Sequence, residues 1–134
     1  MTTDTPNIEA DTAGPDLISL TIPASPKFVR LVRIGAASIG RRRGLSVRAI
    51  DDLRLAVDET FTLLLGDAPH SGSVDVTFEV DDHELLVSAT QRLTRGPLAV
   101  EPESLVRFEV VLTDLVDRFA VDPETGVVQF AKEL

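Results

Sequence analysis

The chain has no cysteine, tryptophan or tyrosine, and only two histidines, His70 and His83, in 134 residues. Without cysteine there is no disulfide framework, no thiolate metal centre and no thiol nucleophile. Two histidines are too few for a multi-histidine metal site and argue against a Ser-His-Asp triad. Long apolar runs are missing as well: none exceeds the three residues of Leu63–Leu65, far short of a membrane span. Met1 to Asp16 holds four acids and no base, the reverse of a signal-peptide start, which leaves the cytoplasm as the expected compartment.

What the chain does have is 43 % apolar residues and a formal charge of −9. A chain of this length reads as one domain that buries an ordinary core. The net charge argues against generic nucleic-acid binding, but the charges are segregated. Lys27 to Arg54 carries eight bases and two acids, a local +6, which leaves −15 (5 bases, 20 acids) for the rest.

Residues 1–15, mixed Thr, Asp, Pro and Gly without apolar periodicity, read as a disordered leader before a single domain at 16–134. Leu17–Ile22 alternates and reads as a first strand stopped by Pro23. Ser25-Pro26 is the cap and first turn of a helix reaching Arg43 and ending at Gly44, with a core stripe of Phe28, Leu31, Val32, Gly35 and Ile39. Ser46 caps a second helix running to about Gly66, its core stripe Ile50, Leu53, Val57, Phe61 and Leu64. The other side carries Asp52, Leu55, Glu59, Leu63 and Gly66, apolar enough to expect cover on both sides. A half-buried strand Val74–Val80 follows, then a turn and a partner strand from Glu84 to about Thr90. After a connector come a third helix, about Glu103 to Arg118 with Leu105, Phe108, Leu112, Leu115 and Phe119 inward, and a last strand at Val127–Ala131. The order β-α-α-β-β-α-β-β predicts an α+β two-layer sandwich, a mostly antiparallel sheet with three helices on one face.

Asp52-Leu53-Arg54-Leu55-Ala56-Val57-Asp58-Glu59 resembles the D-L-x-x-A-V-x-E run opening the N-box helix of RsbW-type anti-sigma factors, in the GHKL (histidine-kinase-like) ATPase superfamily. Ile18 to Arg33 is similar to that family's first strand and first helix. Leu112 to Asp117 and Gly126 to Leu134 are similar to its final helix and strand. The likeness covers about Leu17 to Leu134. It implies the GHKL (Bergerat) fold, ATP-dependent serine-kinase chemistry, sequestration of a stress-type sigma factor, release by a STAS-type anti-anti-sigma protein, and a homodimer.

The kinase motifs are where the chain departs from that pattern. Glu59 matches the family's base, but the Mg²⁺-ligating Asn expected one turn later is Leu63, which has no oxygen to offer. Thr90 stands in the place of the adenine-reading Asp, without the glycines that follow it. Glu103-Ser104-Leu105 replaces a Gly-rich box whose backbone would cradle phosphate, and Glu101 and Glu103 there would repel it. A degenerate ATP site is therefore expected, with no metal and no resident cofactor, ATP with Mg²⁺ being what an intact site would take. A lone carboxylate such as Glu59 is more often a solvated or ion-paired charge than a base, with Arg54 or Arg92 as candidate partners.

Arg30, Arg33, Ile34, Ala37 and Arg41 fall opposite the core stripe of the first helix. They read either as a solvated face or as a partner-binding face, basic at the edges with a small apolar centre, and Arg30 matches a sigma-contacting position of the family. The Arg41-Arg42-Arg43-Gly44 run lacks interleaved aromatics and so does not read as a nucleic-acid site. His70 and His83 read as exposed turn residues, and Ser104 and Thr94 have no base beside them. The functional expectation is an anti-sigma factor acting by stoichiometric binding, a negative regulator of transcription. The alternatives are an active serine kinase using Glu59 and a GHKL-like interaction module without a sigma partner.

Overall fold

The structure, a computed structural model, describes residues 14–134, so all but the last two residues of the expected leader lie outside the described residues. The elements are β1 (Asp16–Pro23), α1 (Val29–Arg42), α2 (Val47–Leu65), β2 (Gly72–Val80), β3 (Glu84–Leu93), α3 (Pro102–Thr113), β4 (Arg118–Asp122) and β5 (Val127–Glu133). The five strands form one antiparallel sheet in the order β1-β2-β3-β5-β4.

Alternation decides the two faces of that sheet. Val74, Val76, Phe78 and Val80 on β2, with Leu85, Val87 and Ala89 on β3, are buried in one core that also takes the inward stripes of the helices. Ile50, Leu53, Val57, Phe61 and Leu64 are all buried, as their spacing predicts. α2 also buries Ala56, Thr60 and Leu63, because it packs against both α1 and α3. The opposite face of the sheet is uncovered and polar. Ser19, Thr77, Ser88 and Gln129 form one cross-strand row, and Thr21, Asp75 and Thr90 begin the next.

Three boundaries differ from the sequence reading. Pro26–Phe28 forms a 3₁₀ turn before α1, and Ser25 makes no side-chain cap there; its carbonyl accepts from Phe28 N–H instead. β3 runs on to Leu93, shortening the connector. α3 stops at Thr113, not Arg118. Val116 N–H bonds back to Leu112 O, and Asp117 N–H pairs with Ala131 O on β5, which draws the chain into the sheet. Phe119 is consequently a β4 residue, set edge-on to Phe108 at 5.8 Å.

Two glycines let layers approach closely. A Cβ on Gly35 would stand 3.2 Å from the Phe78 ring, so α1 could carry a side chain there only if that ring gave way. Gly72, at φ +129°, opens β2 where a Cβ would collide with Arg92 O.

Candidate functional site

α2 carries the candidate catalytic positions at mid-length. Glu59 lies on the side of the helix facing α3, and its carboxylate is largely covered. Arg107, on the second turn of α3, reaches it with two nitrogens, Nε to Oε1 at 3.3 Å and Nη2 to Oε2 at 3.2 Å. A bidentate guanidinium holds a carboxylate in a fixed orientation. The partner of Glu59 is therefore Arg107, not Arg54 or Arg92. Arg54 pairs with Asp51 on its own helix, and Arg92 projects from the open face of the sheet onto Asp75.

Leu63, one turn beyond Glu59, is 9 % exposed and belongs to the core. Thr90 is not brought to these two. It pairs with Asp75 and lines a cavity of about 430 Å³ on the open face of the sheet, with Ser19, Thr21, Thr77, Ser88 and Arg92. The sheet separates Thr90 from Glu59. The residue that β3 turns toward the helices at this end is its neighbour Gln91, buried, with Oε1 accepting Leu98 N–H. One residue of register decides which side chain faces in.

The outward side of α1 is the other candidate surface. Arg30, Ile34 and Arg41 are exposed on it, Ile34 by 53 %. Ala37 does not join them: it is 1 % exposed. Arg33 leans to α2, where Nη1 meets Asp58 Oδ1 at 2.5 Å. Leu31, assigned by its spacing to the core, is 51 % exposed. No acidic residue occurs on α1, so the charge on its open side is all positive, beside exposed Leu31 and Ile34. Arg43 is tied to the carbonyls of Asp81 and Asp82 in the β2–β3 turn.

Several other polar groups have structural partners. His70 is half-buried, not an open turn residue, and Nε2 meets Leu65 O at 2.8 Å at the end of α2. The Arg92 hydrogen bond, then that of Thr21, holds the Asp75 carboxyl below the usual carboxylate range. The backbone N–H groups of His83 and Glu84 do the same for Asp81. Lys132 closes on Asp52 at 3.7 Å. Among the described residues no group of three or more His, Cys, Asp or Glu is placed to hold a metal ion.

No family model matches the chain. Individual relatives do. Serine-protein kinase RsbW of Listeria innocua is 31 % identical over 98 residues, covering 71 % of this chain and 62 % of its own length. The proteins of the same name from Oceanobacillus iheyensis and Bacillus velezensis are 31 % and 35 % identical over 78 and 75 residues, covering 54 % of this chain and 49 % and 47 % of their lengths. The chain thus spans under two thirds of the relatives it matches. With that similarity, this chain is a distant homologue of serine-protein kinase RsbW, and its five-stranded antiparallel sheet with three helices is consistent with the GHKL fold.

Proposed function

We propose that the chain is an anti-sigma factor that acts by occlusion and has lost the kinase chemistry of its relatives. The observation that carries the reading is the outward side of α1, where Arg30, Arg41, Ile34 and Leu31 stand exposed on a helix without an acid, in a protein of net charge −9. Such a surface suits a partner that is acidic around an apolar centre, and charge of this kind speeds the encounter and selects the partner. The partner is an alternative, stress-type sigma factor, covered on the surface that polymerase or promoter DNA requires. A STAS-type anti-anti-sigma protein releases it by competition, in the cytoplasm, and transcription from the sigma factor's promoters is thereby restrained.

Loss of kinase chemistry is supported at α2. Serine phosphorylation needs a carboxylate free to accept a proton and an oxygen ligand for Mg²⁺. Glu59 is held by Arg107, and Leu63 supplies no oxygen. These side chains do not fit ATP with Mg²⁺.

The test is affinity capture of the tagged chain from cells, with the bound proteins sequenced. A sigma factor in the eluate, lost on charge reversal at Arg30 and Arg41, is expected; its absence from the eluate sinks the reading. Active kinase is the second reading, favoured by the relatives' names and by Glu59 itself. Incubation with Mg-ATP and a STAS-domain protein separates the two. Phosphoserine that forms, and vanishes in Glu59→Gln, establishes the kinase. Capture of other proteins but no sigma factor points instead to an interaction module.

A further inference from the structure

Away from α1, the helical layer exposes a second aliphatic surface, on α3 and the side of α2 that faces it. Val106 is 59 % exposed, Val110 65 %, and Leu55 on α2 50 %. The two valines stand one turn apart, on the side of α3 away from buried Phe108 and Leu112.

Two ties fix how the helices lie. Glu59 meets Arg107, and at the other end Lys132 donates to Leu115 O while closing on Asp52. α2 and α3 are therefore antiparallel. Leu55, between Asp52 and Glu59, comes level with Val110 and Val111, so Leu55 and the two exposed valines flank the groove where the helices meet.

This face is built against the preferences of its own helix. Exposed helix positions favour Ala, Glu, Lys and other unbranched residues, whereas valine is stiff at χ1 and lowers helix propensity. α3 also has no base in its last turn, and its C-cap is Asp114, a carboxylate at the negative end of the helix dipole. Glu103, Glu109 and Asp114 make no ion pair among the described residues, while Arg107, the one base of α3, is held by Glu59. Residues that conflict with local preference, gathered on one face, mark a surface shaped by something outside the helix.

We propose that this face docks a basic amphipathic helix of a protein partner. The aliphatic stripe of that helix lies on Val106, Val110 and Leu55, and its Lys or Arg residues meet Glu103, Glu109 and Asp114. Both walls of the groove are helices, whose backbone groups are already bonded along their length, so an extended segment would gain no ladder there. A helix brings its own bonds satisfied and needs only a stripe to fit. The unpaired acids repel phosphate, which disfavours nucleic acid and anionic lipid as occupants. α3 has twelve residues, a length of about 18 Å that seats about three turns of a partner helix. One helix covers less than the about 800 Å² per partner of a standard interface, so micromolar binding is expected. The charge is opposite to that of α1, and the inference is independent of the anti-sigma reading.

The probe is a labelled Leu/Lys peptide of about 18 residues with leucines at i, i+3, i+4 and i+7. It is titrated against the full chain in about 0.15 M salt by fluorescence anisotropy. A peptide of the same composition with Leu and Lys alternating keeps the charge and loses the helical stripe; it should bind about tenfold or more weakly. Val106→Lys with Val110→Lys should weaken the helical peptide about tenfold or more, and Glu103→Gln with Glu109→Gln about threefold or more. Leu17→Lys, at an exposed aliphatic position on β1, should change it by less than about twofold. Because Lys is the better helix former, the valine variant should melt no lower than the wild type. Equal binding of the two peptides overturns the proposal, as does binding that survives the valine substitutions, or none at high micromolar peptide. A lowered melting midpoint in the valine variant would assign those side chains to the fold, and a fall in its mass by light scattering would mean that a second copy covers α3. Either result overturns the proposal too.

Discussion

Leu63 stands one turn after Glu59, and its burial limits what a substitution there can do. Leu63→Asn would supply the missing oxygen, but an amide in the core loses apolar contacts and must find hydrogen-bond partners. A loss of about 2–4 kcal/mol is expected, read as a lower urea midpoint at unchanged m value. Tight Mg-ATP binding by that variant, without loss of stability, would overturn the view of the site as lost. The place of Glu59 on α2 was legible in the sequence because spacing on a helix needs no tertiary knowledge. Its partner Arg107 was not, since it comes from another helix and only packing brings the two together. Thr90 was misplaced for a related reason: motif alignment counts residues, whereas a strand's register alone sets which face each one takes. Asp75 offers a second test. Arg92 and Thr21 lower its pKa in the folded state, so its contribution is present above its unfolded pKa and fades as pH falls through the folded value. Against Asp75→Asn, the wild type should be more stable at neutral pH by less than about 1 kcal/mol, because Arg92 is largely solvated. The two urea midpoints should converge under acid conditions, and a gap that grows toward low pH would contradict the assignment.

At the scale of elements, regular periodicity located a helix end well where a glycine stopped the helix. α2 runs between Ser46, whose Oγ accepts Ala49 N–H at 3.1 Å, and Gly66 at φ +66°, with the inward stripe its spacing predicts. α3 has no such stop, and Phe119 continues the 3-4 spacing from Leu115 although it belongs to β4. A strand residue that must face the same core matches a helical period by coincidence. α1 shows the opposite failure. Its period puts Leu31 inward, but position over the sheet edge leaves that residue half in solvent. Period gives direction, not whether anything lies in that direction. The closest helix–sheet contact gives the prediction at this scale. Gly35→Val would press a branched side chain into the Phe78 ring, already 3.2 Å from a bare Cβ. It should cost about 1–3 kcal/mol by overpacking, and Gly35→Val with Phe78→Leu should recover part of that loss. Thermal melts of the single and double variants decide it; a stable single variant would mean that α1 moves freely on β2.

Over the whole molecule, the uneven charge becomes a kinetic property. The net charge is −9, yet Arg30 and Arg41 stand on a helix with no acid of its own, so the field has direction as well as sign. An acidic partner is repelled from most of the surface and drawn to α1, and this steering is strong only while the screening length exceeds the separation of the charges. That length falls from about 30 Å at 0.01 M salt to about 8 Å at 0.15 M. The association rate with a captured acidic partner should therefore fall steeply with salt while dissociation changes little, as rim charges act mainly on encounter. Arg30→Glu with Arg41→Glu should slow association about tenfold or more at low salt and flatten its salt dependence, leaving the thermal midpoint nearly fixed, since neither side chain makes an ion pair among the described residues. Arg33→Glu should behave differently: it places a second carboxylate against Asp58 and should lower the midpoint as well. Stopped-flow association over a salt series, beside melts of the same variants, separates steering from structure. Equal salt slopes for the wild type and the Arg30, Arg41 variant would remove α1 as the guiding surface, whatever the affinity.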